Sequence, residues 1–113
     1  MHTKKVVLIV EDDDTIRRMV SLLFESKGWR VVATGLPAEV IERQLHLEAD
    51  VIILDDSLPG ISGYELASLI KPALKSSAQL VFTPSGHLDD ITQFDLVIMK
   101  PVTILGLRKI ASA

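Results

Sequence analysis

DVIILDDSLPGISG, residues 50–63, contains an unbroken apolar run from Val51 to Leu54 that ends in two carboxylates, Asp55 and Asp56, followed by a loop rich in Pro and Gly. Aliphatic and β-branched residues without polar alternation mark a strand buried on both faces, so this strand belongs in the middle of a sheet. In an open parallel α/β sheet the carboxyl ends of the strands are where ligands bind. The two acids stand at that edge.

Working outward, VVLIV at Val6–Val10 is a second all-apolar run, and it too stops at acids, Glu11, Asp12, Asp13 and Asp14. Asp13, Asp14 and Thr15 are candidate N-caps, since a short side-chain oxygen accepts from the free amides of a first helical turn. Ile16, Met19, Val20, Leu23 and Phe24 recur at helical spacing, and Gly28 supplies the stop. Residues 29–34 read as a strand, and Pro37 opens a helix over 38–47 that buries Val40, Ile41 and Leu45. Downstream, residues 64–71 predict a short helix that Pro72 ends, residues 79–82 a strand, and Thr83-Pro84-Ser85-Gly86 a break. Residues 86–94 are too short and polar for a firm helix. Residues 95–99 predict a fifth strand ended by Lys100-Pro101, and 103–112 a last helix with Ile104, Leu107 and Ile110 inward. Five strands alternating with helical segments imply right-handed crossovers and a doubly wound parallel sheet covered on both faces.

The composition bounds the function. A length of 113 residues predicts one domain over 1–113, and 48% hydrophobic with 24% charged residues is that of an ordinary globule. A formal charge of −3 without a Lys/Arg block argues against direct nucleic-acid binding. The absence of cysteine excludes disulfides, thiol redox chemistry and thiolate metal sites, and fits a cytoplasmic chain. The amino-terminal apolar run meets Glu11 too soon for a signal peptide, and no segment approaches a membrane span.

If the first and third strands are neighbours, Glu11, Asp12 and Asp55 reach one sheet edge, where three carboxylates repel unless positive charge joins them. Mg2+ meets that need, being held by one or two carboxylates with water and phosphate oxygens. Lys100 and Thr83 stand at the ends of the fifth and fourth strands, where an ammonium and a hydroxyl would face a phosphoryl group. Singly, each has a plainer reading as a solvated lysine or a turn cap; their joint placement at strand ends argues for a site. A carboxylate so surrounded can attack phosphorus and carry the group as an acyl phosphate.

The ordered set VLIVEDD, DVIILDDSLPGISG, LVFT and VIMKP, spread over almost the whole chain, resembles the receiver domain of two-component response regulators, the CheY-like fold. The resemblance implies a flavodoxin-like sheet of order 2-1-3-4-5. It implies Glu11 and Asp12 as the acidic Mg2+ pair, Asp55 as the phosphoacceptor and a metal ligand, and the Ser57 main-chain carbonyl as a further ligand. It implies Thr83 and Lys100 as the hydroxyl and lysine that meet the phosphoryl group, Asp56 as an exposed neighbour, and a cis Lys100–Pro101 bond. The partners implied are a histidine kinase or histidine phosphotransfer protein and a downstream protein target, with a second copy in a homodimer as a further option and no membrane. The chain would assist its own phosphorylation and dephosphorylation without being an enzyme in the ordinary sense.

Three departures stand out. Thr83 and Lys100 are closer than in the family by roughly 3.6 residues, one helical turn, which predicts a fourth helix shortened or absent. Val97 occupies the place of the family's aromatic, and Pro84 follows Thr83 where a small residue is usual. Two other readings remain: a phosphorylation-independent interaction module, and a Mg2+-dependent phosphohydrolase of the haloacid dehalogenase type. The latter needs a second Asp two positions after the nucleophile, where this chain has Ser57.

Overall fold

The computed structural model describes residues 4–86, 88 and 90–110. Five strands form one parallel sheet, β1 (Val6–Val10), β2 (Arg30–Thr34), β3 (Val51–Asp55), β4 (Gln79–Thr83) and β5 (Leu96–Val97), in the order β2-β1-β3-β4-β5. The helices are α1 (Asp14–Ser26), α2 (Pro37–Arg43), α3 (Gly63–Ile70) and α4 (Ile104–Leu107), with a 3-10 turn at Lys71–Ala73 that takes in Pro72. The sheet order and the helices on both faces are those expected from the sequence. No helix lies between β4 and β5 among the described residues.

The unalternating apolar runs follow from two separate cores. In a strand successive side chains point to opposite faces, so Val7, Ile9, Val51, Ile53 and Val81 pack against Val20 and Phe24 of α1 and Leu107 of α4. Leu8, Val10, Ile52, Leu54, Leu80 and Phe82 pack on the other face against Val40 of α2 and Leu66, Ala67 and Ile70 of α3. Both faces are therefore dry, and each fully buried aliphatic side chain contributes about 1.5–3 kcal/mol of transfer free energy. Where the missing helix would cover β4, Phe94 does so instead. Its ring stacks on Phe82 with centroids 4.3 Å apart, and Tyr64 meets both rings edge-on.

Several boundaries differ from the sequence expectation. β5 is a two-residue ladder rather than 95–99, although Asp95, Ile98 and Lys100 still donate backbone N–H groups to Leu80, Phe82 and Pro84. α1 keeps Met19 exposed, with Val20 and Phe24 buried and Ile16 and Leu23 partly so. α4 is shorter than 103–112, of which 111 and 112 lie outside the described residues; Gly106 weakens its interior and the chain closes in three-residue turns at Lys109 and Ile110. Ile104 is 57% exposed while Leu107 and Ile110 are buried, because three residues of α-helix set Ile104 about 60° from Leu107, whereas the three-residue turn that follows brings Ile110 back in line with Leu107.

α2 stops at Arg43 rather than 47, leaving Ile41 exposed and Leu45 only partly buried. Gln44 takes φ 53°, its N–H donates to the Ile41 carbonyl at 3.4 Å and the Leu45 N–H to the Val40 carbonyl at 3.1 Å. This is a Schellman closure with Gln where Gly is usual. Gln44→Gly is expected to raise stability by roughly 1 kcal/mol, the cost of a Cβ in the left-handed region. Urea unfolding checks it, and a loss of stability would show that the Gln side chain has a compensating role.

Candidate functional site

β1, β3 and β5 deliver their carboxyl ends to one edge of the sheet. There Lys100 Nζ lies 2.9 Å from Asp55 Oδ1 and 3.1 Å from Glu11 Oε1. Glu11 and Asp55 are each only 3% exposed. Glu11 is held from several sides: its N–H donates to the Thr34 carbonyl, its carboxylate accepts the Asp13 N–H at 3.1 Å, and its carbonyl accepts Arg17 Nη1 at 2.9 Å. Arg17 is fixed in turn by Asp14. Asp13 is the N-cap of α1, accepting the Ile16 N–H at 2.9 Å, so the acids after Glu11 divide between capping and ion pairing.

Asp55 is the last residue of β3 and stands in register with Thr83 of β4. The Thr83 hydroxyl is buried and donates to the Leu54 carbonyl at 3.3 Å. Lys100–Pro101 is cis. Asp12, next to Glu11, is exposed, as is Ser57. The sequence-derived residues Glu11, Asp55, Lys100 and Thr83 are thus brought together, while Asp12, next to Glu11 in the chain, and Ser57, two residues after Asp55, are exposed. Asp56 is not the freely solvated neighbour expected: it is half-buried and accepts both the N–H and the hydroxyl of Ser85. Nothing in the local sequence signals that bond, nor the Arg17 bond to the Glu11 carbonyl, because both depend on how loops from different strands meet.

The charges do not balance. Two nearly buried carboxylates share one ammonium, which leaves one negative charge in a region of low dielectric. Burial, reinforced by Asp55, pushes the Glu11 carboxyl up to about 7, against the opposing hydrogen bonds from Asp13 and Lys100. Burial opposes ionisation of Asp55 as well, but hydrogen bonds involving Lys100, Glu11 and Asp56 outweigh it and hold that carboxyl below its ordinary value. Lys100 is raised, its two carboxylate partners overcoming its own desolvation. Among the described residues no three carboxylate or imidazole side chains converge into a ready cage. The surplus carboxylate, with Asp12 beside it, nonetheless fits a hard divalent cation, which takes oxygen ligands and keeps part of its water.

A pH dependence follows. Glu11 binds its proton more tightly in the folded state, about 7 against an ordinary 4.5, so its ionisation destabilises the fold. In metal-free buffer the Glu11 contribution lowers stability as pH rises from about 4.5 to about 7, by a few kcal/mol at most. Asp55 acts in the opposite sense and at lower pH, its contribution being lost as pH falls through its depressed native value. Urea unfolding at either end of the Glu11 window measures the slope, and Glu11→Gln is expected to flatten it. An undiminished slope in that variant would place the titration elsewhere.

Residues 7–109 match the family model for the response regulator receiver domain. The cell cycle response regulator CtrA of Brucella ovis is 30% identical over 84 residues, 74% of this chain and 36% of that protein, so the chain spans about a third of that relative's length. A CheY-like receiver domain from Methylobacillus flagellatus superposes with a TM-score of 0.84 at 21% identity, covering 96% of both chains. TrrA of Thermotoga maritima, solved with Mg2+ and BeF, has a TM-score of 0.79 at 24% identity over 93% of this chain and 94% of that one. The same protein, in a complex with the histidine kinase ThkA, is 25% identical with a TM-score of 0.76 over 93% of each chain. The sheet order agrees with these folds, and because the family model spans all but the ends of the sequence, the chain belongs to the response regulator receiver domain family.

Proposed function

We propose that this receiver domain accepts a phosphoryl group on Asp55 from a histidine kinase or histidine phosphotransfer protein, in a Mg2+-dependent step, and signals by a change of conformation. One observation carries the reading: a nearly buried carboxylate at the end of the central strand, paired with Lys100 at 2.9 Å and in register with Thr83. An Asp55 oxygen attacks phosphorus, the bond from phosphorus to the donor breaks, and the donor leaves with the electron pair. Lys100 then meets charge on the phosphoryl oxygens rather than on Asp55 alone, and the Thr83 hydroxyl exchanges its bond to the Leu54 carbonyl for one to phosphate. Glu11, Asp12, Asp55 and the Ser57 carbonyl would hold Mg2+, which supplies positive charge against the transferring oxygens. Attack by water on phosphorus returns Asp55 and inorganic phosphate.

The kinase partner is supported by the complex of ThkA with the related TrrA, and the metal by the Mg2+–BeF form of TrrA. We read residues 1–113 as a single receiver unit. The cytoplasmic setting goes with this class of donor and not with any feature of the fold; no helix among the described residues is long and apolar enough to cross a membrane. Output to a protein target, or to a second copy, is part of the same reading. The test is incubation with Mg2+ and acetyl phosphate, followed by mass spectrometry for a hydroxylamine-sensitive adduct on the peptide bearing Asp55. Absence of the adduct with acetyl phosphate and with any histidine kinase overturns the proposal.

A further inference from the structure

The β3–β4 ladder ends at the Asp55–Thr83 pair, and the next residue, Pro84, has no N–H with which to extend it. One step further out the chain is nevertheless tied on both sides. Ser85 donates its N–H to Asp56 Oδ2 at 3.2 Å and its hydroxyl to Oδ1 at 3.4 Å. On the other side the Pro84 carbonyl accepts the Lys100 N–H at 2.9 Å. Asp56 therefore holds a short segment that carries Thr83 at one end and touches the backbone of Lys100 at the other. Thr83 and Pro84 are buried, whereas Ser85 is exposed and no helix follows it before β5 among the described residues, so the bonds to Asp56 are what tie the outer end of the segment.

We propose that Asp56 and Ser85 form a latch that positions Thr83 and Lys100 for phosphoryl transfer to Asp55, a role that rests on the phosphoacceptor reading above. The carboxylate is acceptor-only and presents two oxygens to two donors of one residue, a charge-assisted match. Pro84 has a fixed φ, which leaves fewer torsions between Ser85 and Thr83 to absorb a displacement of Ser85. Asp56 is in this sense a positioning residue, acting through Ser85. Small misplacements of groups that meet a transition state are costly in rate even when the fold is intact.

The experiment measures the rate of adduct formation by the full chain over a range of acetyl phosphate concentrations in Mg2+. Asp56→Ala is expected to lower the maximal rate about tenfold at an unchanged half-saturating concentration. Ser85→Ala, which keeps the N–H bond, lowers it less, and Asp56→Asn, which keeps one carbonyl acceptor, recovers part of the loss. The double variant is no slower than Asp56→Ala alone, because both changes break the same contact. Hydrogen exchange at the Ser85 amide reports the latch directly, with protection lost in Asp56→Ala. Ser85→Ala is a change at an exposed position and carries the test if Asp56→Ala does not fold. Variant rates at or above the wild-type rate, or losses that multiply in the double variant, overturn the proposal. A phosphorylated wild type with indifferent variants removes the latch alone, whereas a wild type that takes no phosphoryl group removes the phosphoacceptor reading and the latch with it.

Discussion

Asp55→Asn is expected to abolish the phosphoryl adduct completely while leaving a folded protein. The amide has no carboxylate oxygen to attack phosphorus, and Asp12, Asp13 and Asp14 lie outside the Lys100 contact or are engaged elsewhere. The same change has a second, independent signature. Removing one of the two carboxylates leaves Glu11 and Lys100 as a balanced pair, and Asp55 is among the groups that raise the Glu11 carboxyl. The fall in stability across the Glu11 window is therefore expected to shrink in Asp55→Asn. Mass spectrometry after acetyl phosphate treatment reads the first effect and urea unfolding against pH the second. An adduct of wild-type extent on the variant would mean that the acceptor is another residue. An unchanged pH slope would mean that Asp55 and Glu11 do not interact as the 2.9 and 3.1 Å contacts to their shared lysine require.

Gly63→Ala is expected to cost about 3 kcal/mol or more, at the upper end of overpacking effects. A Cβ built on Gly63 would stand 2.0 Å from the Asp55 carbonyl oxygen, 3.0 Å from its carbon and 3.1 Å from the Phe82 ring. Neither side yields cheaply. Asp55 is fixed by its pairing with β4, and Phe82 is buried between Phe94 and Tyr64. Gly63 is itself held, its N–H donating to the Asp56 carbonyl at 3.0 Å, and Ser62 caps α3 through a reciprocal bond with Glu65. Relief requires moving the start of α3 or the end of β3, and the second displaces the phosphoacceptor. A domain of this size has only about 5–15 kcal/mol of stability in total, so a shift in the urea midpoint is easily read. A change of less than about 1 kcal/mol would show that α3 slides freely on the sheet, contrary to the close approach described.

Much of the architecture was legible because buried parallel strands leave a blunt signature. Val6–Val10 and Val51–Asp55 have no partner face exposed to water, so their residues show no alternation. The apolar run at 95–99 overextends β5 because it does not mark where the ladder ends: regular pairing is limited to Leu96 and Val97, and Met99 is exposed. The end of α2 was missed for a different reason. Gln44 adopts a left-handed conformation that its residue type does not announce, and the Val40–Leu45 closure sustains it. The covering of β4 by Phe94 was likewise invisible, since it replaces a helix by a single stacked ring.

The order of residue types along the chain determined which groups reach the functional edge. Acids after the first and third apolar runs, a hydroxyl after the fourth and a lysine after the fifth end up together because parallel strands all present their carboxyl ends on the same side. Tertiary structure alone decided how those groups divide the work. It left one ammonium between two carboxylates, so that Glu11 and not Asp55 has the raised pKa, and it turned Asp56 from a presumed solvated neighbour to the two donors of Ser85. Charge balance and hydrogen-bond partnership depend on distances of a few ångströms between residues 29 to 89 positions apart, and pattern along a chain carries no such distances.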